Sequence, residues 1–225
     1  MWYNLRIGGS SLILKEVVLV TPYELDELVM YTYLRGRLDG PGFEQSQKAL
    51  QFARKAHKNQ ERKDGKPYII HPLSMACDAI ACRGATDEII ATILLHDVCE
   101  DCGIPLSALP VNNVVKRGVE LMTLPECSKE DKAAIKRLYF SKLLESKEAI
   151  VCKAFDRNAN LNDAEGALTE DAIVKNIVET HELLMPVLKE AKYAYPELSD
   201  MLHTIRTALK RTLTLLARYH NVNLE

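Results

Sequence analysis

An apolar run that ends in a His-Asp pair constrains this chain more than any other part of its sequence. Residues 91–101 read Ala-Thr-Ile-Leu-Leu-His-Asp-Val-Cys-Glu-Asp. If the segment is one helix, Glu100 lies four residues after His96. Asp101 likewise lies four residues after Asp97, so all four polar groups project to the same side. Charges at the end of a core helix need partners, and a divalent cation is a direct one.

A His-Asp dipeptide alone is weak evidence for a metal site. The chain has six His and 31 acidic residues, so one such pair arises easily by chance. The context favours a site, because a charged pair rarely follows directly on Ile-Leu-Leu unless it is paired or ligated.

Two further blocks of sequence accompany this one. Residues 60–73 read Gln-Glu-Arg-Lys-Asp-Gly-Lys-Pro-Tyr-Ile-Ile-His-Pro-Leu, and residues 153–161 read Lys-Ala-Phe-Asp-Arg-Asn-Ala-Asn-Leu. With residues 94–101 between them, they resemble in order and spacing the signature segments of HD-superfamily metal phosphohydrolases. The pattern is most similar to the hydrolase domain of RelA/SpoT-type alarmone enzymes and their small single-domain relatives. The resemblance spans residues 44–195, which is most of the chain.

The resemblance implies a metal site built from two imidazoles and two carboxylates. The expected ligands are His71, His96, Asp97 and Asp156. Such a mixed nitrogen and oxygen set suits Mn²⁺, with Zn²⁺, Fe²⁺ or Co²⁺ as substitutes. His57 would be a neighbour of the site rather than a ligand. Without the resemblance, Asp156 beside Arg157 would be interpreted as half of a surface ion pair.

The resemblance also implies catalytic and substrate-binding roles. Glu100 and Asp101 match the family's acidic pair, one of which would orient or deprotonate the attacking water. The alternative for this pair is an exposed acidic helix end. Arg62 and Lys63 match an Arg-Lys pair that meets the nucleotide through its phosphates or its base. Asn160 matches an Asn that contacts the substrate.

Two positions depart from the family pattern. The family has an aromatic residue or His directly before the Asn, where this chain has Ala159. It often has Arg two residues after the Asn, where this chain has Asn162, followed by Asp163. These departures put the identity of the substrate in question more than the metal chemistry.

Three functions follow as hypotheses. The first is hydrolysis of the 3′-pyrophosphate of ppGpp or pppGpp, alarmones of the stringent response, to GDP or GTP and pyrophosphate. The second keeps the metal site but acts on NADPH or another phosphorylated nucleotide. The third is an inactive nucleotide-sensing or partner-binding module, against which the intact ligand set argues. The chain after Pro196 is too short for a synthetase domain, so a hydrolase without synthetase is expected.

Charge and cysteine content restrict partners and compartment. A net charge of −2 argues against a nucleic-acid binder, and the segment from Arg54 to Lys66 carries six basic against two acidic residues. Such a local patch suits a small anionic guanine nucleotide, although a solvated face is the alternative. Six cysteines without a secretory signal predict reduced thiols and a cytoplasmic protein. The Cys99-x-x-Cys102 spacing is interpreted as coincidence, and no apolar stretch is long enough for a membrane span.

The helical periodicity after residue 20 predicts an all-α HD-domain bundle over residues 41–225. An N-terminal extension, residues 1–40, is expected to hold a small β-hairpin at 2–20 and a helix that Gly36 stops. Among the later helices, one is predicted to start at Pro72, directly after His71. Another is predicted to run without interruption from Thr86 to Asp101.

Overall fold

Helices form nearly all of the regular structure that the computed structural model describes, and the predicted all-α class is confirmed. The described residues are 4–7, 10–13, 22–62, 65–124 and 132–224. Their helices are α1 (Pro22–Leu38), α2 (Glu44–Ala56), α3 (Ile70–Ile80), α4 (Asp87–Leu95), α5 (Val98–Cys102), α6 (Asn113–Met122), α7 (Lys132–Lys142), α8 (Lys147–Asn162), α9 (Glu170–Glu179), α10 (Met185–Ala194) and α11 (Ser199–Tyr219).

Two short strands precede the helices. β1 (Asn4–Ile7) and β2 (Ser10–Ile13) pair antiparallel, with Asn4 opposite Ile13. The hairpin was predicted over residues 2–20, and residues 14–20 lie outside the described part of the chain. The border near residue 40, between an extension and the catalytic domain, stays a prediction. In the structure α1 packs against α2 and α3.

α4 is the central helix of the bundle. Every residue from Ile89 to Leu95 is buried, and the helix packs against α2, α3, α6 and α8. A helix that is apolar on all sides is stable only inside such a ring of neighbours. Thr86 caps its N-terminus, because the Thr86 Oγ1 accepts a hydrogen bond from the Ile89 N–H at 3.3 Å. The surrounding helices therefore fix where the His-Asp pair emerges.

The prediction of one helix from Thr86 to Asp101 is wrong. α4 ends at Leu95, and His96 and Asp97 form a turn before the five-residue α5. The ψ of Asp97 is −3°, far from the ideal helical value, so the hydrogen-bond ladder is interrupted there. Gly103, with φ of 63°, then ends α5 in the left-handed conformation that glycine adopts at little cost.

Two further helix boundaries differ from the prediction. α1 continues through Gly36 to Leu38, whose side chain is buried in the core. α3 begins at Ile70, so His71 lies inside its first turn rather than before it. Pro72 is tolerated there, because the first N–H groups of a helix have no partner within the helix.

A side chain of α4 caps α2 from outside. The Asp87 carboxylate accepts hydrogen bonds from the backbone N–H groups of Gln45 at 2.8 Å and Ser46 at 2.7 Å. It also accepts one from the Ser46 hydroxyl at 2.6 Å. The carboxylate thus satisfies N–H groups that the helix itself leaves free and complements the positive end of its dipole. The first turns of α2 and α4 are held side by side.

Within the described residues no helix has both the length and the apolar character needed to cross a membrane.

The thiols of the described cysteines are free: Cys77, Cys82, Cys99, Cys102 and Cys152. Cys127 lies outside the described part of the chain, and the reduced state of the thiols stays a prediction.

Gly118 marks the tightest approach of α6 to the core, and its replacement tests the packing. A Cβ at this position would lie 2.9 Å from the Thr92 side chain and 3.2 Å from the Glu148 Cβ. We expect Gly118→Ala to lower the free energy of unfolding by about 1–3 kcal/mol, measured by urea denaturation. Gly36→Ala is the matched control, because no atom lies within 4 Å of its added Cβ. Gly36→Ala should raise the free energy of unfolding by about 0.5–1 kcal/mol, because alanine favours the helical conformation more than glycine does. Equal effects of the two variants would contradict the close approach of α6 at Gly118.

Candidate metal centre and substrate cleft

The four residues expected to bind metal come from three separate elements and meet at one point. Candidate ligand atoms of His71, His96 and Asp97 all lie within 4.8 Å of one another. The Asp156 Oδ1, on α8, lies 3.3 Å from the His71 Nε2 and 3.9 Å from the His96 Nε2. The cluster is a candidate site for a divalent cation, with the mixed nitrogen and oxygen donors described above.

Two buried ring nitrogens in this cluster lack a hydrogen-bond partner. The His96 Nδ1 lies 2.8 Å from the Ile93 carbonyl oxygen, to which it donates. Its Nε2 is 2.8 Å from the Asp97 Oδ2 but is not aligned for a hydrogen bond, and the buried His71 Nδ1 has no partner either. Buried polar atoms in proteins are normally satisfied. A metal ligand needs a ring oriented by one nitrogen with the other left open, and His96 has that arrangement.

Charge attraction overcomes burial at the His-Asp pair. Burial opposes the charged form of His96, but the Asp97 carboxylate outweighs it and raises the His96 pKa to about 9. Burial likewise opposes ionisation of Asp97, yet His96 lowers the Asp97 pKa to about 2. The Tyr68 hydroxyl donates a hydrogen bond to the Asp97 Oδ2. Burial, and then the Asp97 charge, raise the Tyr68 pKa, so this hydroxyl stays a donor.

Asp156 is embedded among donors on one face of α8. The Lys153 Nζ donates to its Oδ2 at 2.9 Å, and the Asn160 Nδ2 donates to its Oδ1 at 2.5 Å. Burial opposes ionisation of Asp156, but Lys153 lowers its pKa well below the usual range. Asp156 and Arg157 are both buried, so the interpretation of these two residues as a surface pair is wrong.

A second layer of charge connects α8 to α9. The Arg157 guanidinium donates to the Glu179 Oε1 at 2.7 Å and to the Asn176 Oδ1 at 3.2 Å. Glu179 also pairs with Lys136 of α7. Burial lowers the pKa of Arg157, which shows how far this cation is removed from water. Sequence reasoning missed this network, because nothing in the spacing of the three blocks relates them to α7 or α9.

A cleft of about 420 Å³ opens beside the cluster. Arg62 and Asn160 line it together with His71, Asp97 and Asp156. The Arg62 Nη2 lies 3.5 Å from the Asn160 Oδ1, so the two predicted substrate contacts adjoin each other. Apolar side chains at residues 164, 167 and 168 form part of the same wall. This combination of cations and apolar surface suits a nucleotide.

The sequence also predicted Lys63 as a substrate contact and a departure from the family pattern close to Asn160. Lys63, the partner of Arg62 in the motif, lies outside the described residues. Asp163 lines the cleft, and its Oδ2 lies 3.5 Å from the Arg62 Nη2. Asn162 instead accepts a hydrogen bond from the Thr212 hydroxyl at 3.2 Å. The two departing positions, Ala159 and Asn162, are not among the lining residues, whereas Asp163, which follows Asn162, meets the cleft directly.

The two residues of the acidic pair, Glu100 and Asp101, have different neighbours, and the expectation that all four polar groups project together stays a prediction. Glu100 lines an adjoining cavity of about 260 Å³ together with Asp97 and Lys153. Burial, followed by the charge of Asp97, raises the Glu100 pKa. The Asp101 Oδ2 instead accepts a hydrogen bond from the Gln60 Nε2 at 3.0 Å.

His57 lies behind the site, as the sequence suggested. Its ring stacks on Tyr68 with centroids 4.8 Å apart, and its Nδ1 lies 2.7 Å from the Gln60 Oε1. The Cys102 thiol lies 3.5 Å from the same nitrogen. His57 thus supports Tyr68, which in turn holds Asp97. Tyr68 lies within the second sequence block, yet sequence reasoning gave it no role.

The comparisons with known proteins agree with this geometry. Residues 49–137 match the sequence pattern of a family described as HD domain. The chain contains an HD domain. It is also homologous to SpoT/RelA-type proteins, and the resemblance stated from the sequence is confirmed. The family match covers His71, His96 and Asp97, whereas Asp156 and Asn160 follow it in the chain.

Relatives of this HD domain include named hydrolases. A guanosine-3′,5′-bis(diphosphate) 3′-pyrophosphohydrolase of Vibrio cholerae is 30% identical over 158 residues, which are 67% of this chain and 22% of that protein. The Aquifex aeolicus protein of the same name is 48% identical over 58 residues, or 26% of this chain and 8% of that one. The chain thus spans less than a quarter of the length of either relative.

A solved structure of a metazoan ortholog of SpoT that hydrolyses ppGpp has the same fold. It superimposes with a TM-score of 0.56 at 22% sequence identity. The match covers 80% of this chain and 97% of that protein. At this level of identity the likeness concerns the fold.

Removal of Glu179 tests the buried network of α8 and α9. Glu179→Ala would leave Arg157 and Lys136 without their carboxylate partner in a largely dry environment. We expect a loss of about 3 kcal/mol in the free energy of unfolding, measured by urea denaturation. Glu182→Ala, which changes an exposed carboxylate three residues later, is the control and should change it by less than about 0.5 kcal/mol. Equal losses would show that the network does not stabilise the fold.

Proposed function

We propose that this chain is a metal-dependent hydrolase that removes the 3′-pyrophosphate of ppGpp or pppGpp, giving GDP or GTP and pyrophosphate. One observation carries the proposal. The unpartnered Nε2 of His96 and the Nε2 of His71 lie among two carboxylates, beside a cleft that Arg62 and Asn160 line. The names of the relatives and of the solved structure supply the substrate class. The reduced thiols are consistent with a cytoplasmic protein, which is part of the proposal.

The residues that would hold the metal are His71, His96, Asp97 and Asp156. We propose Mn²⁺, with Zn²⁺, Fe²⁺ or Co²⁺ as substitutes, because the donor set has no thiolate. When bound, such an ion lowers the pKa of coordinated water and polarises the phosphoryl group. Lys153 keeps Asp156 ionised, and the Tyr68 hydroxyl fixes the Asp97 carboxylate in place.

Glu100 is the better placed of the two predicted catalytic acids. It borders the cavity that Asp97 and Asp156 share, and burial, followed by the charge of Asp97, raises its pKa, which favours proton uptake by this carboxylate. Glu100 would take a proton from the attacking water as the bond between the 3′ oxygen and phosphorus breaks. The leaving 3′ oxygen would take up a proton, for which Asp101 or the protonated Glu100 is the donor.

Arg62 and Asn160 would position the nucleotide, with Lys63 as a third contact. The Arg62 guanidinium offers a planar, always charged surface for a base or for phosphate oxygens. Lys153 and Arg157, which also line the cleft, are paired with Asp156 and Glu179 and would present cationic hydrogen-bond donors to the anionic phosphates.

A second candidate substrate is NADPH or another phosphorylated nucleotide. Asp163 supports this candidate, because its carboxylate lines the cleft and pairs with Arg62 in a segment where the family pattern differs. A carboxylate there would repel a phosphate bound close to it and so change which nucleotides fit.

The proposal is tested by incubating the protein with ppGpp and Mn²⁺, with and without EDTA, and separating the products by ion exchange. We expect GDP and pyrophosphate with Mn²⁺ and neither product with EDTA. NADPH and a panel of phosphorylated nucleotides are run in parallel. Turnover of one of these in place of ppGpp would move the function to the second candidate. Stoichiometric metal binding without turnover of any nucleotide would instead leave a sensing or partner-binding module.

Two substitutions separate metal binding from proton transfer. Asp97→Ala should abolish both bound metal and turnover, because it removes a ligand. Glu100→Gln should keep the metal but lower kcat by about 10²–10⁴-fold, the usual contribution of a general base. Metal content is measured by elemental analysis, and Glu182→Gln, an exposed change elsewhere, serves as the control with normal values for both. Full turnover by Asp97→Ala would show that the assigned site is wrong.

A further inference from the structure

A cavity of about 630 Å³ lies away from the metal cleft, and we name it the π-turn cavity. Its wall includes the π-helical turn Thr180–Leu184 through His181, and parts of α10 and α11. π-helical turns are rare and are frequently found at functional sites. None of the residues that line the π-turn cavity lines the metal cleft.

The π-turn cavity has unusual charge. Among the described residues no Asp or Glu lines it, whereas four basic residues do: His181, Lys189, Arg206 and Lys210. Their side chains form no ion pair or hydrogen bond with any other residue that the structure describes, and the Arg206 Nε is buried without a partner. Arg157, by contrast, is matched by Glu179. A group of cations without counter-charges, one with a desolvated donor, is a site for an anion.

The remaining lining is apolar except for Thr214, whose hydroxyl donates to the Lys210 carbonyl oxygen. Met185 and Pro186 from α10 face Leu213 from α11, with Leu224 beside them. The volume falls within the range of small-molecule sites, which combine apolar walls with a few polar anchors. A single inorganic phosphate would leave these walls uncovered. The chemistry therefore fits a ligand with several phosphate groups joined to a flat, largely apolar ring system.

We propose that the π-turn cavity is a second ligand site that binds a nucleoside polyphosphate. Arg206 and Lys210 hold the phosphate chain, and the apolar walls contact the base. Lys189 and His181 add charge at the rim. This site is separate from the proposed hydrolytic cleft and binds its ligand without a metal. The two proposals can therefore be tested independently.

The test is isothermal titration of the full chain with GTP in EDTA, which removes metal-dependent binding. Arg206→Gln/Lys210→Gln should weaken one class of GTP sites by about tenfold or more, the equivalent of losing at least 1.4 kcal/mol of binding free energy. Arg211→Gln is the matched control, because it removes a positive charge next to Lys210 on α11 without lining the cavity. Inorganic tripolyphosphate should compete for the same sites more weakly than GTP, since it lacks the ring.

A second double variant keeps the proposal testable if Arg206→Gln/Lys210→Gln does not fold. Lys189→Gln/Lys210→Gln changes only exposed residues and should weaken GTP binding in the same direction. Hydrogen exchange in residues 180–185 should slow on addition of GTP in the wild type but not in the double variants. Wild-type affinity in both double variants would overturn the proposal. So would a loss of all GTP binding on Arg62→Gln, because the metal cleft would then account for it.

Discussion

The burial of charge at the end of α4 is the constraint on which the rest of the structure depends. An ionised carboxylate or imidazolium in a dry interior is costly unless it is paired, and here His96, Asp97 and Asp156 are brought to one point in the core. Tyr68 and Lys153 partly offset that cost through hydrogen bonds to the two carboxylates. The Nε2 of His96, which has no hydrogen-bond partner, lies beside both carboxylates, where a cation would complete the balance.

The charges are arranged in two layers. The inner layer holds the candidate metal ligands, and the outer layer, Arg157 with Glu179 and Lys136, ties α8 to α9 and α7. The π-helical turn starts at Thr180, directly after Glu179, and the Thr180 hydroxyl donates to the Asn176 carbonyl oxygen at 2.6 Å. Since Asn176 and Glu179 both hold Arg157, the outer layer and the π-turn cavity belong to one continuous piece of structure.

Much of this could be predicted from the sequence, and the failures have local physical causes. The all-α class follows from helical periodicity. The buried side chains of α11, among them Leu202, Leu209 and Leu213, keep that periodicity. Motif order predicted the elements that carry the ligands. Periodicity gave no sign of the turn at His96, where the side chains that follow still fit a helical spacing. The partners of Arg157 could not be predicted from the sequence, because pairing with residues 19 and 22 positions away depends on tertiary packing.

The cap that Asp87 places on α2 has a consequence for the geometry of the site. It aligns the first turns of α2 and α4, and at the far end of α2 the Ala56 carbonyl oxygen accepts a hydrogen bond from the Cys102 thiol of α5 at 3.5 Å. Residue positions along α2 and α4 are therefore both fixed relative to this shared cap. One residue inserted into α2 would shift His57 and Gln60 by about 1.5 Å and turn them by about 100° relative to His96. Helix length, as much as residue identity, thus determines whether Tyr68 and Asp101 keep their support.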